Sequence, residues 1–362
     1  MKQTIYSTIH IFYIVCILII YIGLIYFYMT MTTNTNITES FQTTTTTTTT
    51  TNTSLLNILP IRATMPLVEY CIKCSYNSAF DGSNISTETI VTILQKGVRF
   101  LDLEIYYIND IPVVGYSIDP TFINLKSKNS ISLSKIFIKI LSTAFTSIHC
   151  TNYMDPLFIQ LRIKSNDLNN VYKAVASVIS SCFDETNKLY IDTTTHRPIP
   201  VNETTILSDI NSKIIFIIDK TINPDYANYT TCYDNSPSCH DLTQYINMIS
   251  GGNTLRVSTF GTILTQHTTP PVIMDDFKTT NASILYLAIP DPILNVKNPL
   301  MFDYLLNYGI QNIAFQFWNN DQNLVIYESL FDEHKTAFVP FAYALHYCKQ
   351  MQHNMKNGFK II

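Results

Sequence analysis

From residue 64 onward, short apolar and β-branched runs alternate with stretches whose apolar positions recur every three or four residues. Runs such as KIIFIID (213–219) and SILYLAI (283–289) are bounded by turn residues and too short for buried helices, so they predict strands. The predicted strands are 67–75, 98–105, 111–116, 156–163, 213–219, 254–260, 283–288 and 311–317. Between most of them the spacing predicts helices. Ser86–Lys96 places Ile90, Ile93 and Leu94 on one face, Leu168–Ser180 does the same with Leu168, Val171, Val175 and Val178, and Pro299–Tyr308 with Leu300, Tyr304 and Leu305. Strands alternating with helices in this number predict an α/β fold, a TIM-type (β/α)8 barrel. The alternative is an open doubly wound sheet, which would lack a dinucleotide phosphate loop because no Gly-x-Gly-x-x-Gly follows the first strand.

The first 63 residues follow different rules. No charged residue occurs from Gln3 to Thr38, and Ile5–Met29 is an apolar run of 25 residues. At 1.5 Å rise per residue that spans a hydrocarbon core of about 30 Å. The run is longer than the apolar region of a cleaved signal peptide, and bulky Tyr26, Phe27, Tyr28 and Met29 stand where small residues would mark cleavage. It is read as a retained transmembrane helix behind a short tail (1–4). Lys2 and the amino terminus are the positive charges nearest the span, which places the large C-terminal part outside or in a lumen. Residues 30–63 are rich in Thr and Asn, with Thr43–Thr51 uninterrupted, and read as a stalk. The barrel is expected over 64–350 and a tail over 351–362.

Composition excludes some classes. Hydrophobic residues make up 46% and charged residues 14%, with net charge -4. No Lys/Arg block is present, so a broad nucleic-acid surface is not expected. Asn36, Asn52, Asn84, Asn202, Asn228 and Asn281 each open an N-x-S/T sequon, consistent with a glycosylated lumenal or extracellular face. Cys71 and Cys74 form a lone C-x-x-C without the second pair that a zinc site needs. Cys232 and Cys239 bracket a short loop and are candidates for a disulfide.

In a barrel of this type the chemistry sits at the C-terminal ends of the strands. Those positions here carry Tyr76-Asn77, Asp102 and Glu104, Tyr116-Ser117, Arg162 and Lys164, Asp219-Lys220, Arg256, Asp291 and Gln316. Asp102 and Glu104 are two apart on a strand, so both point to one side. Such a pair has the oxygen chemistry for Ca2+ or Mg2+. It is equally a charge pair for Arg99, Arg162 or Lys164.

The segments CSYNSA (74–79), GVRFLDLEIY (97–106), IPVVGYS (111–117) and YGIQNIAFQFWNNDQNLVIYESLFDEHKTAFV (308–339) occur in an order and spacing that resembles phosphoinositide-specific phospholipase C. The X-like half covers 66–165 and the Y-like half 213–340. Within that family the chain looks closest to divergent proteins of large DNA viruses. The resemblance implies a phospholipase C-like phosphodiesterase barrel, a phosphoinositide or related phosphodiester as ligand, and Ca2+ as cofactor.

The same resemblance implies specific departures. Tyr76 stands where the family has its first catalytic His. The second His falls in the stretch Gly115-Tyr116-Ser117-Ile118, which has none. The calcium Asn is kept as Asn77, and the two calcium carboxylates as Asp102 and Glu104 with their types exchanged. A further calcium Glu is replaced by Arg162. Lys164, Lys220 and Arg256 are the candidate substrate-binding cations, Arg256 matching a family Arg whose neighbouring Tyr is here Ser258. A Tyr titrating at about 10 does not shuttle protons near neutral pH without a large shift. The expectation is a catalytically degenerate barrel used for binding or as a surface or virion component. The alternative is a live phosphodiesterase in which His240 or His267, in loops after the fifth and sixth strands, replaces the missing acid or base.

Overall fold

The computed structural model describes residues 54–230, 232, 240–266, 281–292 and 297–356. The chain divides into Met1–Asn52 and Thr53–Ile362, and the described residues belong to the second unit. The expected span 5–29 and most of the stalk lie outside them. Among the described residues no helix is long and apolar enough to cross a membrane.

Eight parallel strands form a nearly closed barrel. In chain order the strands of the domain are β1 (Tyr70–Ile72), β2 (Cys74–Ser75), β3 (Phe100–Ile108), β4 (Ile111–Val114), β5 (Ile131–Ser132), β6 (Leu157–Ile163), β7 (Ile214–Asp219), β8 (Ile246–Ser250), β9 (Arg256–Thr259), β10 (Tyr286–Ile289), β11 (Asn312–Phe315) and β12 (Phe338–Pro340). The barrel order is β8-β7-β6-β3-β2-β11-β10-β9, and a single bridge from Ser250 to Leu255 links its two ends. Around it lie α1 (Thr87–Gln95), α2 (Leu133–Ala144), α3 (Leu168–Phe183), α4 (Phe260–Gln266), α5 (Gln322–His334) and α6 (Phe341–Lys356). Helix α1 begins at Ser86, whose side chain accepts the Glu88 N–H, and α5 at Asp321, which accepts from Leu324.

Staves β2, β6, β7, β10 and β11 and most of β3 are buried on both faces, so period-2 alternation there separates two environments rather than core from solvent. On β3, Leu101, Leu103 and Ile105 face outward into a core shared with Ile93, Phe137 and Val175 of the surrounding helices. Phe100, Asp102 and Glu104 alternate with them and face inward, as do Phe158, Gln160 and Arg162 on β6. The Cα register pairs Phe100 with Phe158, Asp102 with Gln160 and Glu104 with Arg162. The barrel interior is therefore apolar at its N-terminal end, where Phe100 and Phe158 stack at 6.0 Å, and polar at its C-terminal mouth.

The barrel departs from the predicted elements in five places. The predicted strand 111–116 is β4, which is no stave. It folds back antiparallel on the upper half of β3 and pairs with β5. The eighth stave is instead Ile246–Ser250, whose sequence INMIS carries too few apolar residues to announce itself. The predicted strand 67–75 splits: Leu67–Glu69 is a 3-10 turn, β1 pairs antiparallel with β12, and only β2 joins the barrel. The helix over 299–308 is centred on a π-helical turn, Asp303–Asn307. Residues 55–63, assigned to the stalk on composition, are packed on the barrel. Leu55, Ile58 and Ala63 are buried, and the Asp155 carboxylate accepts the Ile58 N–H at 2.8 Å.

The turn between β3 and β4 consists of Asn109 and Asp110, both left-handed at φ 51° and 61°. That is the signature of the tight turn whose twist matches a hairpin. The hairpin carries β3 beyond the barrel rim. Cys232 is disulfide-bonded, and its expected partner Cys239 lies outside the described residues. Cys71, Cys74, Cys150, Cys182 and Cys348 are free thiols.

Candidate functional site

At the mouth, the inward positions of β2, β3 and β6 converge on one guanidinium. Arg162 Nε donates to Asp102 Oδ1 and Nη2 to Asp102 Oδ2, each at 2.7 Å, a bidentate pair. Nη1 lies 3.0 Å from Glu104 Oε1 and Nη2 donates to Asn77 Oδ1 at 3.0 Å. Nη1 also reaches the Tyr76 hydroxyl at 3.3 Å, and the guanidinium sits 4.5 Å over the Tyr76 ring. The Arg162 side chain is 5% exposed and both carboxylates 0%, so water does not screen these contacts.

The second turn of the network fixes the carboxylates from behind. Asn77 is held at φ 43°, a left-handed conformation that Asn tolerates, and its N–H donates to Asp102 Oδ2 at 3.0 Å. Lys164 Nζ donates to Glu104 Oε1 at 2.8 Å and to the Ser117 carbonyl at 3.1 Å. The other oxygen of Glu104 accepts from the Tyr106 hydroxyl at 2.8 Å and from the Ser117 N–H at 3.1 Å. Two carboxylates thus meet two cations, and every charge is neutralised within the cluster.

Burial alone would raise the Glu104 pKa, but Arg162 and Lys164 overcome it and hold the carboxyl below its usual range. Burial pulls Arg162 down, yet Asp102, Tyr76 and Glu104 raise it well above an ordinary guanidinium. Burial pushes the Tyr76 phenol up, with Arg162 opposing only in part. Tyr76 therefore stays neutral across physiological pH. Burial also raises Asp219, at the end of β7, whose carboxylate accepts from the Thr221 N–H and hydroxyl.

The sequence-predicted residues fall into three groups. Tyr76, Asn77, Asp102, Glu104, Arg162, Lys164 and Ser117 are brought into one network. Tyr116 stands beside it, against the rings of Phe80 and Trp318. Lys220 and Arg256 are not part of it. Lys220 lies along Gly252 on another side of the mouth, close enough that a Cβ on that glycine would meet its ammonium at 3.1 Å. Arg256 opens β9 and so sits at the opposite end of the barrel, exposed, over the Tyr286 ring. Its expected place at the mouth came from the match to a family Arg, whereas β9 sets it at the strand's first residue. The neighbouring Ser258 pairs with the Tyr286 hydroxyl at 2.8 Å. Among the described residues no hydrogen bond or ion pair joins His240 to the cluster, and His267 lies outside them.

Asn77, Asp102 and Glu104 do supply convergent oxygens, as Ca2+ would require. Calcium takes oxygen ligands at about 2.3–2.6 Å and six to eight of them. The space between these oxygens holds the Arg162 guanidinium, and Lys164 takes a further site on Glu104. With both cations in place the residues do not fit the ion. Among the described residues no group of three or more His, Cys, Asp or Glu is arranged to hold a metal.

Beside the cluster opens a cavity of about 450 Å³, lined among others by Phe80, Tyr116, Lys126, Lys128, Gln316 and Trp318. Sequence reasoning passed over Lys126, Lys128 and Trp318. The available signal was a Lys-x-Lys pair in an otherwise charge-poor loop and the chain's single Trp inside the 308–339 motif.

A parallel α/β barrel whose polar mouth is assembled from the ends of β2, β3 and β6 defines the fold class. Residues 63–220 match the family model of the X domain of phosphatidylinositol-specific phospholipase C, so the chain is similar to that family as its motifs implied. Among solved structures, PLC21 of L. pealei has a TM-score of 0.57 and 15% identity over 77% of this chain and 37% of its own. PLC21 of S. officinalis gives 0.57 and 16% over the same shares, 77% and 37%. The chain thus spans little more than a third of those two proteins. A calcium-dependent phosphoinositol-specific phospholipase C from Pseudomonas sp has a TM-score of 0.47 and 10% identity over 78% of this chain and 97% of its own. At these identities the likeness is one of fold. No curated protein matches the chain in sequence.

Proposed function

We propose that this protein is a membrane-anchored phospholipase C-like barrel that has lost hydrolytic chemistry and works by binding, or as a component of a cell or virion surface. The carrying observation is the Arg162 guanidinium seated between Asp102, Glu104 and Asn77. It places a fixed positive charge in the one spot where these oxygens could hold a divalent ion. General acid–base catalysis contributes about 10²–10⁴-fold per group and needs a pKa near the working pH. Tyr76, at the first family His, is pushed upward by burial. The Ser117 hydroxyl, in the stretch matching the second His, is committed to the Asn124 carbonyl. The anchor reading rests on the apolar run Ile5–Met29, and the outward or lumenal placement on Lys2 and the sequons.

The test is turnover of phosphatidylinositol by the full chain in detergent, with and without added Ca2+. No inositol phosphate release above background is expected in either condition. Release that disappears in Asp102→Ala would overturn the proposal.

A further inference from the structure

Six sequons punctuate the chain, and the fold sorts the four that fall among the described residues. An N-linked glycan is built on the carboxamide nitrogen Nδ2 of the asparagine, and its bulk has to remain at a surface. Asn281 fails that requirement. It is 1% exposed, its Nδ2 donates to the Tyr308 carbonyl at 2.8 Å, and its own carbonyl accepts from Gln311 Nε2 at 3.1 Å. A sugar on that nitrogen would displace the Tyr308 carbonyl and open the core.

The other three meet it. Asn228 is exposed on a 3-10 turn, Tyr226–Tyr229, and among the described residues its carboxamide makes no hydrogen bond. Asn202 is half-exposed, and its Oδ1 accepts from the Thr204 N–H at 3.0 Å and the Thr204 hydroxyl at 2.8 Å. That turn ties together the two ends of its own sequon, and among the described residues it leaves Nδ2 without a protein partner. Asn84 is half-exposed; its N–H donates to Asp81 Oδ1 at 2.6 Å, and its side chain bonds the same carboxylate. A glycosylated carboxamide keeps one N–H, so this contact survives the modification. Asn84 and Asn228 lie on the loops that leave the C-terminal ends of β2 and β7, whereas Asn202 precedes β7 at the other end of the barrel. Asn84 also adjoins Ser83, which borders the mouth cavity.

From this geometry we infer that the folded chain carries N-linked glycans on Asn84, Asn202 and Asn228 and none on Asn281. In each transfer Nδ2 bonds to the anomeric carbon of a lipid diphosphate-linked oligosaccharide. The bond from that carbon to the phosphate oxygen breaks, the lipid diphosphate leaves, and the Nδ2 proton passes to base. The inference rests on the outward or lumenal placement. The disulfide at Cys232, two residues past the Asn228 sequon, supports that placement independently of the sequons, because such bonds persist in oxidising compartments. A sugar coat also suits a chain with 14% charged residues where about 25% is usual, since it hydrates a surface that few charges hydrate.

The test uses the full chain made in animal cells and extracted in detergent. Molecules whose barrel resists trypsin are separated from aggregate and treated with peptide N-glycosidase in heavy-oxygen water, which turns each glycosylated Asn into a labelled Asp. Peptide mass spectrometry then maps the label. It is expected at Asn84, Asn202 and Asn228 and absent from Asn281. Asn84→Gln, Asn202→Gln and Asn228→Gln should each remove one step of the gel shift that the glycosidase abolishes. Asn52 carries a sequon outside the barrel unit and reports on placement alone. An unlabelled Asn84, Asn202 or Asn228 beside a labelled Asn52, or a labelled Asn281 in trypsin-resistant molecules, would overturn the inference and leave the placement standing. Absence of label at every site would overturn both.

Discussion

The guanidinium of Arg162 and the carboxylate of Asp102 face each other through two hydrogen bonds of 2.7 Å on adjacent parallel strands, fully enclosed by the barrel. Their strands are in direct register, with Asp102 opposite Gln160 and Glu104 opposite Arg162. The contact is therefore built into the backbone pairing.

Removing Arg162 leaves two buried carboxylates with Lys164 as their remaining close cation. Breaking a buried pair in this way costs about 3–5 kcal/mol. Arg162→Ala should lose that much in urea unfolding. Arg162→Glu should be less stable still without metal. Added Ca2+ should raise the stability of both variants, because the vacated oxygens then fit an ion, and should leave the parent chain unmoved. A parent chain stabilised by Ca2+ to the same extent would contradict the role given to Arg162.

Tyr76 contributes one long hydrogen bond and a ring under the guanidinium. Tyr76→Phe keeps the ring, so it should cost no more than about 1 kcal/mol. Tyr76→Ala also removes the cation–π contact and buried ring area, and should cost about 3 kcal/mol or more. Thermal melts of the two variants distinguish a packing role from a chemical one.

Two carboxyls give the stability opposite pH slopes. Glu104 is depressed in the fold, so its contribution is complete above its unfolded value of about 4.3 and is lost as pH falls through the folded value. Asp155 is raised by burial from 3.8 to about 6, with Arg99 and the Ile58 N–H opposing. Its contribution is complete below 3.8 and is lost as pH rises through about 6. Asp155→Asn retains an oxygen for Ile58. It should gain about 2–3 kcal/mol at neutral pH and flatten the curve across that window. Chemical denaturation at a series of pH values would show it, and a variant curve parallel to the parent's would refute the assignment.

Residues 54–63 belong to the folded unit. Leu55 is buried against Gly97, where φ is 82° and a Cβ would come within 2.5 Å of the leucine. Leu55→Ala should cost about 2–5 kcal/mol, and Gly97→Ala should be at least as damaging. A chain begun at residue 64 should melt below one begun at residue 54. Equal melting temperatures would return this segment to the stalk.

The residues at the heart of the site were legible because strand periodicity and motif order agree on them. Asp102 and Glu104, two apart in an otherwise apolar run, had to share a face, and Arg162 and Lys164 had to share one on the neighbouring strand. Failures came where a strand was identified correctly but its partner was not. The run 111–116 is β-like, yet nothing local says that it folds back on β3 instead of joining the barrel. Ile246–Ser250 has the opposite fault, since its place is fixed by pairing with β7 rather than by its own residues. Arg256 was placed at the mouth by its match to a family motif, whereas it is the first residue of β9, and the predicted strand 254–260 already set it in that strand's first half. The lysines of the cavity sit in an irregular loop whose course depends on hydrogen bonds to Tyr116 and Ser83, and no periodicity encodes those.

The tight turn at Asn109–Asp110 bears on how the mouth would receive a guest. The strand that carries Asp102 and Glu104 continues without a break into the hairpin, and the returning strand leads to Tyr116 and then to Lys126 and Lys128. Tyr116 thus follows the returning strand almost directly, while Lys126 and Lys128 come after an irregular stretch pinned by backbone hydrogen bonds to Tyr116 and Ser83. Sequence drift in the hairpin would be felt at the carboxylates as a shift of register rather than as a softer loop.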